Sequence, residues 1–210
     1  MTDLILIGGG GHCRSCIDVI EAEERFRIAG IVDLPERVGD KLLGYPVIAD
    51  DADLPRLIEP GHSFLITLGQ IKSPARRMEL FAQLSEAGAE LASIVSPRAH
   101  VSRHATIGPG TIVMHDALVN AGAWIGVNSI INSKALIEHD ALIGAHCHIS
   151  TGAIVNGAVE IGAGCFIGSG TVTHQGIRIG EGCLVAAAAL VTTDLSAGSR
   201  FPGRKSRGDQ

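Results

Sequence analysis

Aromatic residues are scarce: five Phe, one Tyr and one Trp in 210 residues. An ordinary globular core uses more, so small aliphatic side chains packed in a regular array are expected, and a helical bundle is disfavoured. No run approaches the roughly 18 consecutive apolar residues of a membrane span. The start, Met1-Thr2-Asp3 followed by Leu4–Ile7, has no positive n-region and too short an apolar run for a secretory signal, so a cytoplasmic location is expected. Neither sign of charge dominates. With 17 Lys and Arg against 22 Asp and Glu, the net charge of −5 excludes a basic nucleic-acid binder and a polybasic membrane peptide. The 46% of hydrophobic residues excludes a disordered chain. Five cysteines, an odd number, do not suggest a disulfide framework. What the chain does have is glycine, 27 residues, well above the usual roughly 7%.

The chain divides into two grammars. Residues 1–92 alternate between strand and helix patterns. Leu4–Ile7 reads as a buried strand, Gly8–Gly11 breaks it, and Cys13 to Glu24 has helical apolar spacing at Cys16, Ile17 and Ile20. Ile28–Asp33 and Ser63–Leu68 are further strands. Ser73–Ala87 is a helix, with Ser73 as N-cap and Pro74 at its first position, and Leu91–Val95 returns as a strand. Such alternation predicts a parallel sheet with crossover helices.

Residues 93–196 obey a different rule. An aliphatic residue recurs every six positions from Val95 through Val101, Ile107, Val113 and onward to Val191, over seventeen hexads in one register, and only Thr173 breaks the series. Four residues after each comes a second, mostly small position, from Ala99 to Leu195. A period of six fits neither an α-helix nor a hairpin sheet. It fits a parallel β-helix in which each hexad forms one flat side. Three sides make an 18-residue coil, and about six coils stacked at roughly 4.8 Å give a prism about 27 Å tall. Cys147, Cys165 and Cys183, spaced 18 apart, then form one interior column, read as small buried hydrophobes rather than metal ligands. Residues 197–210 form a C-terminal tail.

This pattern resembles the hexapeptide-repeat acyltransferases, whose left-handed β-helices assemble as trimers. Residues 131–157 are similar to bacterial acetyltransferases of nucleotide-linked amino sugars and to their sialic-acid O-acetyltransferase relatives. The most specific piece is Glu138-His139-Asp140 with His148 nine residues after His139. The resemblance implies a small Rossmann-like nucleotide-sugar-binding domain, then the β-helix, with acetyl-CoA as co-substrate, no metal, and a homotrimer with active sites between subunits. It makes His139 the general base and Asp140 the group that orients it; a neutral imidazole with a pKa near 6.5 suits that task. It places His148 at the acetyl end of acetyl-CoA and makes the Gly157 N–H an oxyanion donor. Ser169 and Ala187 become further acetyl-CoA contacts, and Asn132 lies near the sugar.

The glycine run Gly8–Gly11 before a helix suits phosphate, but it is not a G-x-G-x-x-G fingerprint, because Cys13 stands where the last glycine belongs. The resemblance places Gly10, Gly11 and His12 near the sugar and phosphates, Asp33 near the base, and Gly69 and Gln70 at the same crevice. Asp33-Leu34 and Gly69-Gln70-Ile71 depart from the relatives' paired acids and Gly-Asn-Asn, which leaves uridine and guanosine both open. The basic tail (Arg200, Arg204, Lys205, Arg207) reads either as a contact for the 3′-phosphate of coenzyme A or as a solvated end. His115-Asp116 repeats His139-Asp140 without the flanking Glu and His. The pair His146 and His148 lacks a further ligand at zinc spacing. Cys13-Arg14-Ser15-Cys16 has a redox spacing outside the redox fold. Ser133 and Ser150 are the hydroxyls that a covalent route would require. N-acetylation is expected, with sialic-acid or other sugar O-acetylation and a non-catalytic nucleotide-sugar sensor as the alternatives.

Overall fold

The computed structural model describes residues 1–58 and 60–203; the tail residues Arg204, Lys205 and Arg207 lie outside them. The N-terminal part contains β1 (Thr2–Ile7), α1 (Gly11–Glu23), β2 (Phe26–Val32), β3 (Lys41–Leu42), β4 (Tyr45–Ala49), α2 (Leu54–Leu57), β5 (His62–Ile66), α3 (Ala75–Glu86) and β6 (Glu90–Leu91). The sheet order is β3-β4-β2-β1-β5-β6, parallel except for the β3–β4 hairpin. Alternation along β1 sends Leu4 and Leu6 toward α1 and Ile5 and Ile7 toward α3, so both faces of the sheet are covered.

Three local details differ from the expectation. Helix α3 starts at Ala75, and Ser73 caps from one step further out, its Oγ accepting from the Ala75 N–H at 3.2 Å. Leu91–Val95 is two strands: β6 closes the first sheet, and Ile94–Val95 is the first rung of the prism. The hairpin β3–β4 was not anticipated. Its turn places Leu43 and Gly44 at φ 50° and 92°, both positive, as a two-residue type I′ turn demands, and leucine is a rare occupant of that first position.

From Ile94 onward the chain winds a left-handed parallel β-helix of two-residue rungs, each pairing with the rung 18 residues on. Face 1 runs from Ile94–Val95 through His148–Ile149 to Leu184–Val185 and is closed by Arg200–Phe201. Face 2 runs from His100–Val101 through Leu136–Ile137 to Leu190–Val191. Face 3 runs from Thr106–Ile107 through Leu142–Ile143 to Arg178–Ile179. The predicted aliphatic series fills the interior together with the three-cysteine column, whose thiols donate to the carbonyls of Gly162, Gly180 and Ser196 at 3.1–3.2 Å. Corners turn through left-handed residues six apart, among them Asp116, Gly122, Asn128, Lys134, Asp140 and His146. Face 1 also shares a core with α1, because Ile94, Ile112 and Ile130 pack with Cys13, Cys16 and Ile17. No helix of the described residues is long and apolar enough to cross a membrane.

Candidate active site

A cleft of about 680 Å³ lies where the glycine loop meets face 1 of the prism. The loop is possible because Gly8 has φ +100° and a Cβ there would stand 2.4 Å from the Leu68 side chain. Gly10, Gly11 and His12 form one wall of the cleft, Gly69 and Gln70 a second, and Asn132 and His148 the prism wall. Seven residues expected to touch substrates thus come together. Leu68, Ile71, Lys72 and Ser73 complete the lining, and of these Lys72 is a charged residue that sequence reasoning did not single out.

His148 is held on both ring nitrogens. Its Nδ1–H donates to the Gln70 carbonyl at 2.7 Å, which leaves Nε2 to accept from Asn132 Nδ2 at 3.1 Å, and Phe166 packs edge-on at 5.3 Å. Burial pushes its pKa down to about 4, with the Gln70 bond opposing and Arg77 assisting. Burial, then His148, then Arg77 push His12 down to about 3, and its Nε2 is buried with no partner among the described residues. Both imidazoles are therefore neutral at pH 7, which leaves Lys72 as the one basic side chain among the described residues that line the cleft.

The cation behind this wall, Arg77 of α3, was also missed. It is 2% exposed. Its Nη1 donates to the carbonyls of Ile66 and Leu68 at 3.0 and 2.7 Å, and its Nη2 to Asn128 O and Oδ1 at 2.9 and 2.7 Å. It thereby ties the end of β5 to a corner of the prism. Burial pushes its pKa down to about 10, so it stays charged at neutral pH. The adjacent Arg76 is exposed and pairs with Asp51 and Glu79. Nothing in the dipeptide distinguishes the two; helix phase against the prism does.

Asp33 lies outside the cleft lining. Its carboxylate is held by Arg37 at 2.6 Å, and the same guanidinium reaches the Gly9 carbonyl at 3.1 Å, so the pair braces the glycine loop from behind.

His139 and Asp140 occupy a different place, the corner between faces 2 and 3. Asp140 sits at φ 58°, and its Oδ2 accepts from His139 Nδ1 at 2.9 Å. The carboxylate fixes the proton on Nδ1, so Nε2 presents its lone pair on a side chain that is 55% exposed. Gly157 lies one coil on, beneath the ring. A Cβ there would stand 2.7 Å from Nε2, so glycine lets the imidazole sit where it does without shifting. Glu138 accepts from Asn120 Nδ2 and from the His139 N–H, which makes it a corner brace.

The look-alike His115 differs physically. Its Nδ1 meets Ser96 Oγ at 2.6 Å and its Nε2 meets Asp18 of α1 at 2.9 Å, while Asp116 pairs with Arg98 instead. It has no free nitrogen. His146 sits in a left-handed corner, accepts from Asn128 Nδ2 and packs on Phe81, away from the partners of His148. No metal-ligand cluster exists among the described residues. Cys13 and Cys16 are buried, and burial pushes both thiols up, Cys13 to about 11, the opposite of redox activation. Ser150 Oγ and Ser169 Oγ bond to each other at 2.9 Å. Ser169 and Ala187, one coil apart, lie at the corner between faces 1 and 2. Face 2 therefore separates the His139–Gly157 corner from the Ser169–Ala187 corner within one chain.

The PglD N-terminal domain family matches residues 3–84, and the hexapeptide repeat of succinyl-transferase matches residues 158–193. No curated protein matches the chain in sequence. Among solved structures, the acetyltransferase domain of PglB from Neisseria gonorrhoeae FA1090 is 30% identical with a TM-score of 0.86, over 94% of this chain and 95% of that one. The same domain has been solved in complex with acetyl coenzyme A. PerB from Caulobacter crescentus, in complex with CoA and GDP-perosamine, is 31% identical with a TM-score of 0.75, over 94% of this chain and 92% of that one. WeeI from Acinetobacter baumannii AYE shares the fold at 22% identity and a TM-score of 0.82, over 94% of this chain and 95% of that one.

Proposed function

The chain belongs to the hexapeptide-repeat sugar acetyltransferases that carry a PglD-type N-terminal domain, and from that premise we propose that it moves an acetyl group from acetyl-CoA to the amine of a nucleotide-linked 4-amino-4,6-dideoxy sugar, in the cytoplasm, for surface glycan synthesis. The observation that carries this reading is the His139 Nε2 lone pair, oriented by Asp140 and lying against Gly157. The acceptor amine forms the C–N bond to the thioester carbon while His139 Nε2 takes its proton. The Gly157 N–H stabilises the oxyanion, a type of contact whose loss costs on the order of 3 kcal/mol. The C–S bond then breaks, and the proton passes to the coenzyme A thiolate.

Residues 1–92 supply the acceptor site and residues 93–196 the catalytic prism. The glycine loop, His12 and Gln70 hold the nucleotide-sugar beside Asn132 and His148, with Asp33 bracing the loop toward the base. Ser169 and Ala187 contact acetyl-CoA. These groups and His139 lie on opposite edges of face 2, whose outward residues Leu118, Leu136, Ile154, Val172 and Leu190 form one apolar column. Three copies turning this column inward would bring the His139 corner of one against the Ser169 corner of the next. A homotrimer therefore completes three sites that a single chain leaves open.

The test is thiol release from acetyl-CoA with UDP- and GDP-linked 4-amino-6-deoxy sugars, free sialic acid as control, and His139→Ala beside the wild type. Release with one nucleotide amino sugar that collapses in the variant is the expected result and names the nucleotide. Release with sialic acid alone would transfer the assignment to O-acetylation. Nucleotide binding without any release would point to a sensor.

A further inference from the structure

Thr173 is the one polar residue in the inward aliphatic series, and it is fully buried. Along the edge of face 2 that leads to the His139 corner, the residue leaving each strand normally donates its N–H to the carbonyl one coil on. Asn120 reaches Ile137 O at 2.9 Å, Glu138 reaches Val155 O at 2.9 Å, and His174 reaches Val191 O at 2.7 Å. Asn156 departs from this ladder. Its N–H goes to Thr173 Oγ1 at 3.0 Å, and its side-chain Nδ2 takes the Thr173 carbonyl at 2.6 Å.

The departure changes what happens at the next residue. In the two preceding coils the side chain at this position turns forward onto the following N–H. Asn120 Oδ1 accepts from Ala121 at 3.1 Å, and Glu138 Oε2 accepts from His139 at 3.2 Å. Asn156 Nδ2 is instead drawn to the Thr173 carbonyl, its Oδ1 accepts from no group among the described residues, and neither does the Gly157 N–H donate to one. A valine at 173 would fill the same interior volume and restore the ladder bond. The restored bond from the Asn156 N–H would compete for the carbonyl that Asn156 Nδ2 now holds, and the side chain would turn to cap Gly157 as its counterparts do.

We propose that Thr173 is a positioning residue which, by holding Asn156 with its hydroxyl and carbonyl, keeps the Gly157 N–H free to donate to the acetyl thioester oxygen as that oxygen takes on charge. The proposal rests on the acetyl-transfer reading above. It explains why the hexad rule fails next to Gly157: an uncapped donor adds to transition-state stabilisation, whereas a capped one must first break a bond.

The experiment compares Thr173→Val, Asn156→Ala and the double variant in steady-state kinetics and in amide hydrogen exchange at Gly157. Thr173→Val is expected to lower kcat about tenfold while the KM for acetyl-CoA stays within about twofold, because the lost contact forms only in the transition state. Asn156→Ala/Thr173→Val is expected to recover to within about threefold of Asn156→Ala, since the capping side chain is gone. A merely structural role would make the double variant worse than Thr173→Val. The Gly157 amide should become protected in Thr173→Val and unprotected again in the double variant, a readout that needs no substrate. Should the valine variant not fold, Thr173→Ala removes the same oxygen and carries the same expectations. Wild-type kcat in the hydroxyl-less variants, an unchanged Gly157 amide, or no recovery in the double variant would overturn the proposal. A wild-type enzyme without turnover on any acceptor, but with the amide behaviour intact, would overturn the acetyl-transfer reading instead.

Discussion

Lowering the pH from 7 to 5 should cost this protein stability through two histidines of the cleft. Unfolded, each binds a proton with a pKa near 6.5. Folded, His148 is pushed down to about 4 and His12 to about 3, chiefly by burial. Between those values and 6.5 the unfolded chain holds protons that the folded chain does not, so stability is complete above 6.5 and falls as the pH falls. Integrated from pH 7 to pH 5, His148 alone contributes a loss of about 2 kcal/mol, and His12 a similar amount. For a fold with typically about 5–15 kcal/mol in hand, that is a large share. The assay is urea unfolding at both pH values and one protein concentration, for the wild type and for His148→Gln, whose amide reaches toward the same Gln70 carbonyl and Asn132. Carboxylates titrate alike in both proteins and cancel in the difference. The variant should lose about 2 kcal/mol less than the wild type over this interval. Equal losses, or a His148 ring that titrates near 6.5 in the folded protein, would refute the reasoning.

Gly157→Ala would place a methyl 2.7 Å from His139 Nε2. The imidazole must then shift from its place beside Gly157, and kcat should fall about a hundredfold with acetyl-CoA binding retained; calorimetric titration beside steady-state kinetics checks both. Ile154→Asp puts a charge in the apolar column of face 2, so sedimentation should show separated subunits and turnover should vanish with them. An active, undissociated variant would contradict the arrangement around face 2.

Much of the fold was legible because a β-helix repeats its environment. Each hexad meets the same neighbours one coil on, so the requirement for an aliphatic residue inside is written again every six residues, and Thr173 stood out as its one exception. The glycine loop was legible for a local reason too, since a strand running into a helix through four glycines has few other uses. Less legible were features set by partners distant in sequence. The Leu43-Gly44 turn takes its conformation from the pairing of β3 with β4. Arg76 and Arg77 are neighbours, yet one is solvated and the other is buried against Asn128. His115 and His139 carry the same His-Asp pair at equivalent hexad positions. Asp18 of α1 and Ser96 occupy both nitrogens of the first, while nothing among the described residues occupies Nε2 of the second.

By itself the sequence determined the prism, its 18-residue coil and the strand–helix alternation of the first domain, because periodicity and turn chemistry act over a few residues. Only the tertiary structure decided which histidine keeps a free nitrogen, which arginine is buried behind the cleft, and that Asn156 turns away from Gly157. Each of those outcomes depends on a hydrogen bond or a burial between residues far apart in the chain, and no local pattern encodes them.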